Sequence, residues 1–153
     1  MKKKHYMKLL ESLELAKEIT ATLPELPESV KPSYLYVLNS VIDTDESMRI
    51  KDISEELTIA SPNVTALVNE MSDMNLVTRE TLPEDKRVTY IRATEEGRNL
   101  LEKYYTNFHE AIMDSMDLKK KDINRTLQTL THLKDIYEET AIKMNEQYKD
   151  EDA

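Results

Sequence analysis

Glycine occurs once among the 153 residues of this chain, at Gly97, and that scarcity constrains the fold more than any motif does. Sheet-rich folds turn often and need residues that tolerate unusual backbone angles at each turn, so helix must dominate. Gly97 sits in the first turn of an expected helix, where a missing Cβ allows another backbone to pack closely. At this length a chain hides roughly two thirds of its unfolded surface in a core and can fold without staples. Cysteine is absent, which removes disulfides, thiolate nucleophiles, cysteine-based zinc sites and peroxide sensing by thiol oxidation.

Charged residues make up 33% of the sequence and recur throughout, so no segment approaches the roughly twenty apolar residues that span a bilayer. Lys2, Lys3 and Lys4 look like the basic start of a signal peptide, but Glu11 and Glu14 interrupt the apolar stretch that should follow. A cytoplasmic protein is therefore expected. The net charge of −9 argues against a broadly basic nucleic-acid binder, because a diffuse positive field normally supplies the non-specific part of DNA affinity.

Apolar spacing gives the elements. Met7, Leu10, Leu13, Leu15, Ile19 and Leu23 recur at mostly helical steps, predicting a helix from Lys4 to Leu23 that Pro24 and Pro27 end. A second helix covers Tyr34 to Ile42, Asp43 to Ser47 reads as a turn, and a short helix carries Ile50, Ile53 and Leu57. The next, Ser61 to Asn75, has Ser61 as its expected cap and Pro62 as its first helical residue. Val64, Leu67, Val68, Met71 and Met74 face its core side, and Asn75 suits a left-handed terminus. From Val77 the period falls toward two, so Val77 to Arg79 and Val88 to Arg92 predict a hairpin with Pro83, Glu84 and Asp85 at its tip. Thr94 caps a helix reaching about Met116, and Lys121 to Tyr148 forms a last helix with one apolar face.

Three short helices, a hairpin and long helices at both ends are the order of a winged helix-turn-helix protein, in which one helix braces a second that enters the major groove. The long terminal helices carry apolar stripes that a small core could hardly cover, so pairing across a two-fold axis is expected. Leu57-Thr58-Ile59-Ala60-Ser61-Pro62-Asn63-Val64-Thr65-Ala66-Leu67-Val68-Asn69, Asn75-Leu76-Val77-Thr78-Arg79, Asp85-Lys86-Arg87 and Ala93-Thr94-Glu95-Glu96-Gly97 together resemble the MarR (multiple antibiotic resistance regulator) family. Each motif is weak alone; their order and spacing carry the resemblance.

The resemblance implies a mainly α fold with a small β-hairpin wing, dimerisation helices within 1–32 and 99–153, and a DNA-binding lobe at 33–98. It implies a homodimeric repressor that reads a pseudo-palindromic operator in double-stranded DNA. Ser61, Pro62, Asn63, Thr65, Ala66 and Asn69 would meet bases or phosphates, with asparagine suited to adenine N6 and N7. Arg87 would enter the minor groove, oriented by Asp85, while Arg49, Lys51, Arg79 and Lys86 would neutralise phosphates. It also implies a small aromatic or phenolic effector, for which Tyr34, Tyr36, Tyr104 and Tyr105 are the candidate lining, although tyrosines at helical spacing are more often plain core.

Two departures from the family pattern matter. Family members commonly carry arginine where this chain has Ala66, and often another where it has Glu70. Between Met48 and Arg98 there are seven basic residues against ten acidic ones. DNA affinity should thus rest on few contacts and fall steeply with salt. A second reading keeps the dimeric fold but replaces strong DNA binding with protein interaction or ligand sensing. No nucleophile with a nearby base and no glycine-rich phosphate loop supports an enzyme. His5, His109 and His132 lie far apart in sequence, so neither a metal nor any other cofactor is expected.

Overall fold

The computed structural model of the chain describes residues 2–44, 47–82 and 85–151, and within these it leaves the side chains of residues 82, 85–87, 150 and 151 outside the description. The chain divides into two units, Met1–Asp114 and Ser115–Ala153. In the first unit, helix α1 spans Lys3–Ala21, α2 Pro32–Asp43, α3 Ile50–Leu57 and α4 Ser61–Asp73. Strands β1 (Ser47–Arg49), β2 (Val77–Leu82) and β3 (Asp85–Ala93) form one sheet. Helix α5 (Glu95–Leu101) runs through a π-helical turn at Glu102–Thr106 into α6 (Asn107–Ser115). The second unit is built on α7, Lys120–Glu151.

The helix boundaries follow local chemistry. Helix α1 stops at Ala21, two residues before the expected end, with Thr22 already extended at φ −72° and ψ 125°. The approaching Pro24 explains this, since a proline pushes the residue before it toward extended backbone. Pro32 opens α2, where its missing N–H costs nothing. Asn75 adopts φ 57° and closes α4 as expected: its N–H reaches Ser72 O at 3.0 Å and the Leu76 N–H reaches Met71 O at 2.8 Å, the paired bonds of a left-handed helix end.

The core sits where α2, α3, α4, α5 and the sheet meet. Leu35, Val37, Leu38 and Val41 of α2 are fully buried against Ile53 of α3, Val64, Val68 and Met71 of α4, and Ile91 of β3. Leu35, Leu38, Val41, Ile53, Val64, Val68 and Met71 stand on the stripes that the apolar spacing gives, whereas Val37 and Ile91 are buried outside them because the sheet and α2 are covered on a second side; each buried side chain of this size contributes about 1.5–3 kcal/mol. Gly97 is buried in the first turn of α5, and a Cβ there would lie 2.2 Å from the Leu76 carbonyl oxygen.

Two expectations need correction. The wing belongs to a three-stranded sheet in the order β1-β3-β2, not to a lone hairpin, and Ser47 begins a strand instead of ending a turn. Met48 pairs with Ile91 and both are buried. Three residues are too few to show a period, so this strand is defined by the free edge of β3. Ser61, moreover, is the first helical residue and not the cap; Ala60 takes that position and Pro62 falls second. The Ser61 hydroxyl turns back across the turn, donating to Ser54 Oγ at 3.1 Å.

Candidate nucleic-acid interface

The turn between α3 and α4 fixes how α4 is presented. Thr58 adopts the left-handed conformation at φ 54° and ψ 40°. The Ile59 N–H then bonds back to Ser54 O at 3.1 Å, and the Ser54 hydroxyl donates to Ile59 O at 2.6 Å. With Ser61 bound to Ser54, the turn is tied at both ends. Helix α4 buries Val64, Val68 and Met71 and leaves Ser61, Pro62, Asn63, Ala66 and Asn69 exposed on its other side. Thr65 is half-buried and donates its hydroxyl to Ser61 O at 2.9 Å, which leaves its oxygen lone pairs as acceptors.

Glu70, which stands where the family often carries arginine, is matched within the chain: its Oε2 accepts from both Lys31 Nζ and the Tyr34 hydroxyl, each at 2.6 Å. The hydrogen bonds from Lys31 and then Tyr34 hold the Glu70 carboxyl below its usual 4.5. The bond to Glu70 raises Lys31 in turn, and burial followed by that same carboxylate pushes Tyr34 above 10.0. One acidic charge of α4 is thus matched by a cation from the segment leading into α2. Lys31 carries no sequence signal for this role, because the partners lie 39 positions apart.

Three of the expected phosphate contacts, Arg49, Lys51 and Arg79, are already engaged within the chain. Arg49 grips Asp52 through two bonds, Nε to Oδ2 at 2.7 Å and Nη2 to Oδ1 at 2.8 Å, which raises the arginine and lowers the carboxyl. Lys51 lies 3.6 Å from Glu55, and Arg79 donates through Nη2 to Asn69 Oδ1. Across the sheet, Arg92 pairs with Glu80 at 2.7 Å. Arg49, Ile50 and Lys51 meet Val88 and Thr89 around a recess of about 300 Å³, so two of the expected cations converge beside the wing. At the wing tip, Pro83 and Glu84 lie outside the described residues, as do the side chains of Asp85, Lys86 and Arg87; their backbone opens β3.

The four candidate tyrosines do not share one role. Tyr36 meets Tyr105 edge to face at 6.4 Å between ring centres, and Tyr105 contacts His109 at 4.4 Å. Tyr104 lies under the Lys103 ammonium at 4.9 Å, while Tyr34 is buried and committed to Glu70. His109, considered in the sequence only as a metal ligand, is instead an aromatic neighbour of Tyr105 and Phe108. Among the described residues no helix is long and apolar enough to cross a membrane.

Residues 40–89 match the model of the MarR family. The chain is 32% identical over 92 residues to the organic hydroperoxide resistance transcriptional regulator of Bacillus subtilis strain 168, a match covering 60% of each chain. Across the curated relatives it matches, the chain spans less than two thirds of their length, as little as 46% for one of them. Among solved structures, AbsC, a MarR family transcriptional regulator from Streptomyces coelicolor, superposes with a TM-score of 0.71 at 17% identity, covering 90% of this chain and 97% of that one. FabT of Streptococcus pneumoniae, crystallised in complex with DNA, gives a TM-score of 0.64 at 16% identity over 89% of this chain and 94% of that one. At such identities these two structures establish the fold.

Proposed function

We propose that the chain is a member of the MarR family, whose model it matches over residues 40–89, and that it is a sequence-specific DNA-binding transcription repressor acting as a homodimer, without enzymatic activity, in the cytoplasm. The carrying observation is α4, which leaves Pro62, Asn63, Ala66 and Asn69 exposed while its opposite face is buried. A helix braced in this way by a preceding helix and a locked turn can enter the major groove. The withdrawal of Glu70 toward Lys31 and Tyr34 removes one of the charges that would repel phosphate.

In this reading Ser61, Asn63, Thr65 and Asn69 meet bases or backbone, and Pro62 and Ala66 allow close approach. The β2–β3 wing carries Arg87 to the minor groove with Asp85 orienting it, and Arg49, Lys51, Arg79 and Lys86 contact phosphates. Arg49 and Lys51 exchange an internal carboxylate for a phosphate, so their net contribution is small. Helices α1 and α7 pair with those of a second copy and set two α4 helices one DNA turn apart. Tyr36 and Tyr105, with His109, offer an aromatic wall to a small aromatic or phenolic effector. Such an effector releases DNA only by binding the DNA-incompetent arrangement more tightly.

A band-shift titration with the protein's own promoter tests this. A retarded complex should weaken steeply with salt, and Arg87→Ala should abolish it or lower the salt slope by about 2 per dimer, one for each protomer. Equal affinity for random DNA, with no protected pseudo-palindrome, would instead indicate a dimer that binds proteins or senses a ligand.

A further inference from the structure

Helix α7 carries an exposed seam and a charge polarity that runs against its own dipole. From Ile123 through Leu127 and Leu130 to Tyr137, Met144 and Tyr148, with Lys134 and Ala141 filling the gaps, its residues follow at alternating steps of four and three, and all of them are exposed. That spacing is the seam by which two helices pair. Between Lys120 and Asp135 four basic residues stand against two acidic ones, and between Ile136 and Glu151 two basic against five acidic. The macrodipole favours the reverse, acids near the first turn and bases near the last, so this polarity does not stabilise a lone helix.

Resting on the reading of the chain as a homodimer, we propose that α7 packs antiparallel against α7 of a second copy, centred between Asp135 and Ile136. Ile123 then lies opposite Tyr148, Leu127 opposite Met144 and Leu130 opposite Ala141 of the second copy, and two-fold symmetry makes each pair occur twice. The groove that Met116, Leu118, Ile123 and Leu127 help to line receives Met144 and Tyr148 of that copy. Apolar burial supplies the affinity, and charge decides the direction. Antiparallel pairing sets a basic half against an acidic half twice over, whereas parallel pairing sets like halves together. Lys134, the one charged residue on the seam, decides the register, as a single polar seam residue does at some cost in stability. In the central register it meets Tyr137 of the second copy, whose ring face attracts an ammonium. A slip of seven residues either way sets it against Leu130 or Met144 instead.

The chain has no cysteine, so introduced thiols report pairing without background. Under mild oxidation the full-length double variant Leu130→Cys with Ala141→Cys should run as a covalent dimer on a non-reducing gel, while either single variant runs as a monomer. Within one helix these two positions lie about 16 Å apart, beyond the reach of a disulfide, so the link joins two copies. Both side chains are exposed, so neither change removes core packing. A second measurement reads direction from charge. Lys120→Glu, Lys121→Glu and Arg125→Glu together should raise the dissociation constant of the dimer about tenfold at low salt, and adding Glu138→Lys, Glu139→Lys and Glu146→Lys should restore it. Self-linking of either single variant, no link in a double variant that sediments as a dimer, or a charge reversal that leaves the dissociation constant unchanged would each overturn the proposal and leave the dimer standing. A wild type that sediments as a monomer would overturn both.

Discussion

At the scale of single residues, Gly97 and Glu70 show how little of a side chain's role is visible in its type. The space beside Gly97 is filled by the Leu76 carbonyl, a backbone atom held by its own bond from the Thr94 N–H at 3.1 Å, so it cannot step aside as a flexible side chain could. Gly97→Ala should therefore destabilise the protein by about 1–3 kcal/mol, as overpacking does, read as a lower urea midpoint. Glu70 makes a prediction about pH. Its carboxyl is held below 4.5 in the folded chain, so its contribution is complete above that value and is lost as pH falls through the depressed one. Urea titrations at successive pH values should show Glu70→Gln less stable than wild type at neutral pH, with the gap closing toward strong acid. Two curves that stay parallel across that range would remove Glu70 from the account. Lys31, raised by the same bond, works at the other end: its share is present below 10.5 and is lost as pH climbs through the elevated value.

At the scale of elements, the joints are built by backbone groups that the helices leave unpaired. Two helices end on left-handed residues that are not glycine, Thr58 after α3 and Asn75 after α4. Asparagine tolerates that conformation, whereas a β-branched residue does not do so readily. Thr58 is exposed, so little packing is lost on replacing it. Thr58→Gly relieves about 1–2 kcal/mol of strain and returns about 0.5–1 through the greater freedom of unfolded glycine. A net gain of about 0.5–1 kcal/mol is expected, visible as a higher melting temperature. The joint after α4 is tied more heavily. Thr94 donates its hydroxyl to Asn75 O at 2.6 Å and accepts from the Gly97 N–H at 3.0 Å, so one side chain couples the end of α4 to the start of α5.

At the scale of the whole molecule, the apolar faces left open ask for a second copy. Helix α1 buries no residue, and in α7 Ile123 is 47% exposed, Leu127 64% and Tyr148 52%. Within the second unit, Met116, Leu118, Ile123, Thr126, Leu127 and Leu130 surround a groove of about 430 Å³. A stripe of this length exposed to water favours association. Sedimentation should therefore give twice the 17.9 kDa of the chain. Leu127→Glu combined with Leu130→Glu should shift the protein to monomer and lose operator binding with it, since each protomer then reads its half-site alone. A wild type that sediments as a monomer at micromolar concentration would sink the two-fold arrangement.

The sequence by itself determined the helices, the β2–β3 hairpin of the wing and most of the helical inner stripes, because each depends on neighbours within a few positions. The left-handed Asn75 and the capping Thr94 are local for the same reason, and both stand where their chemistry placed them, whereas the backbone that crowds Gly97 is that of Leu76, 21 positions away. Only the tertiary structure decided that Ser47–Arg49 pairs with β3, that Glu70 turns to Lys31 and Tyr34, and that Arg79 faces Asn69. Those contacts join different elements, and nothing in a strand of three residues, a carboxylate or a cation indicates which distant partner the packing of the core will bring within reach.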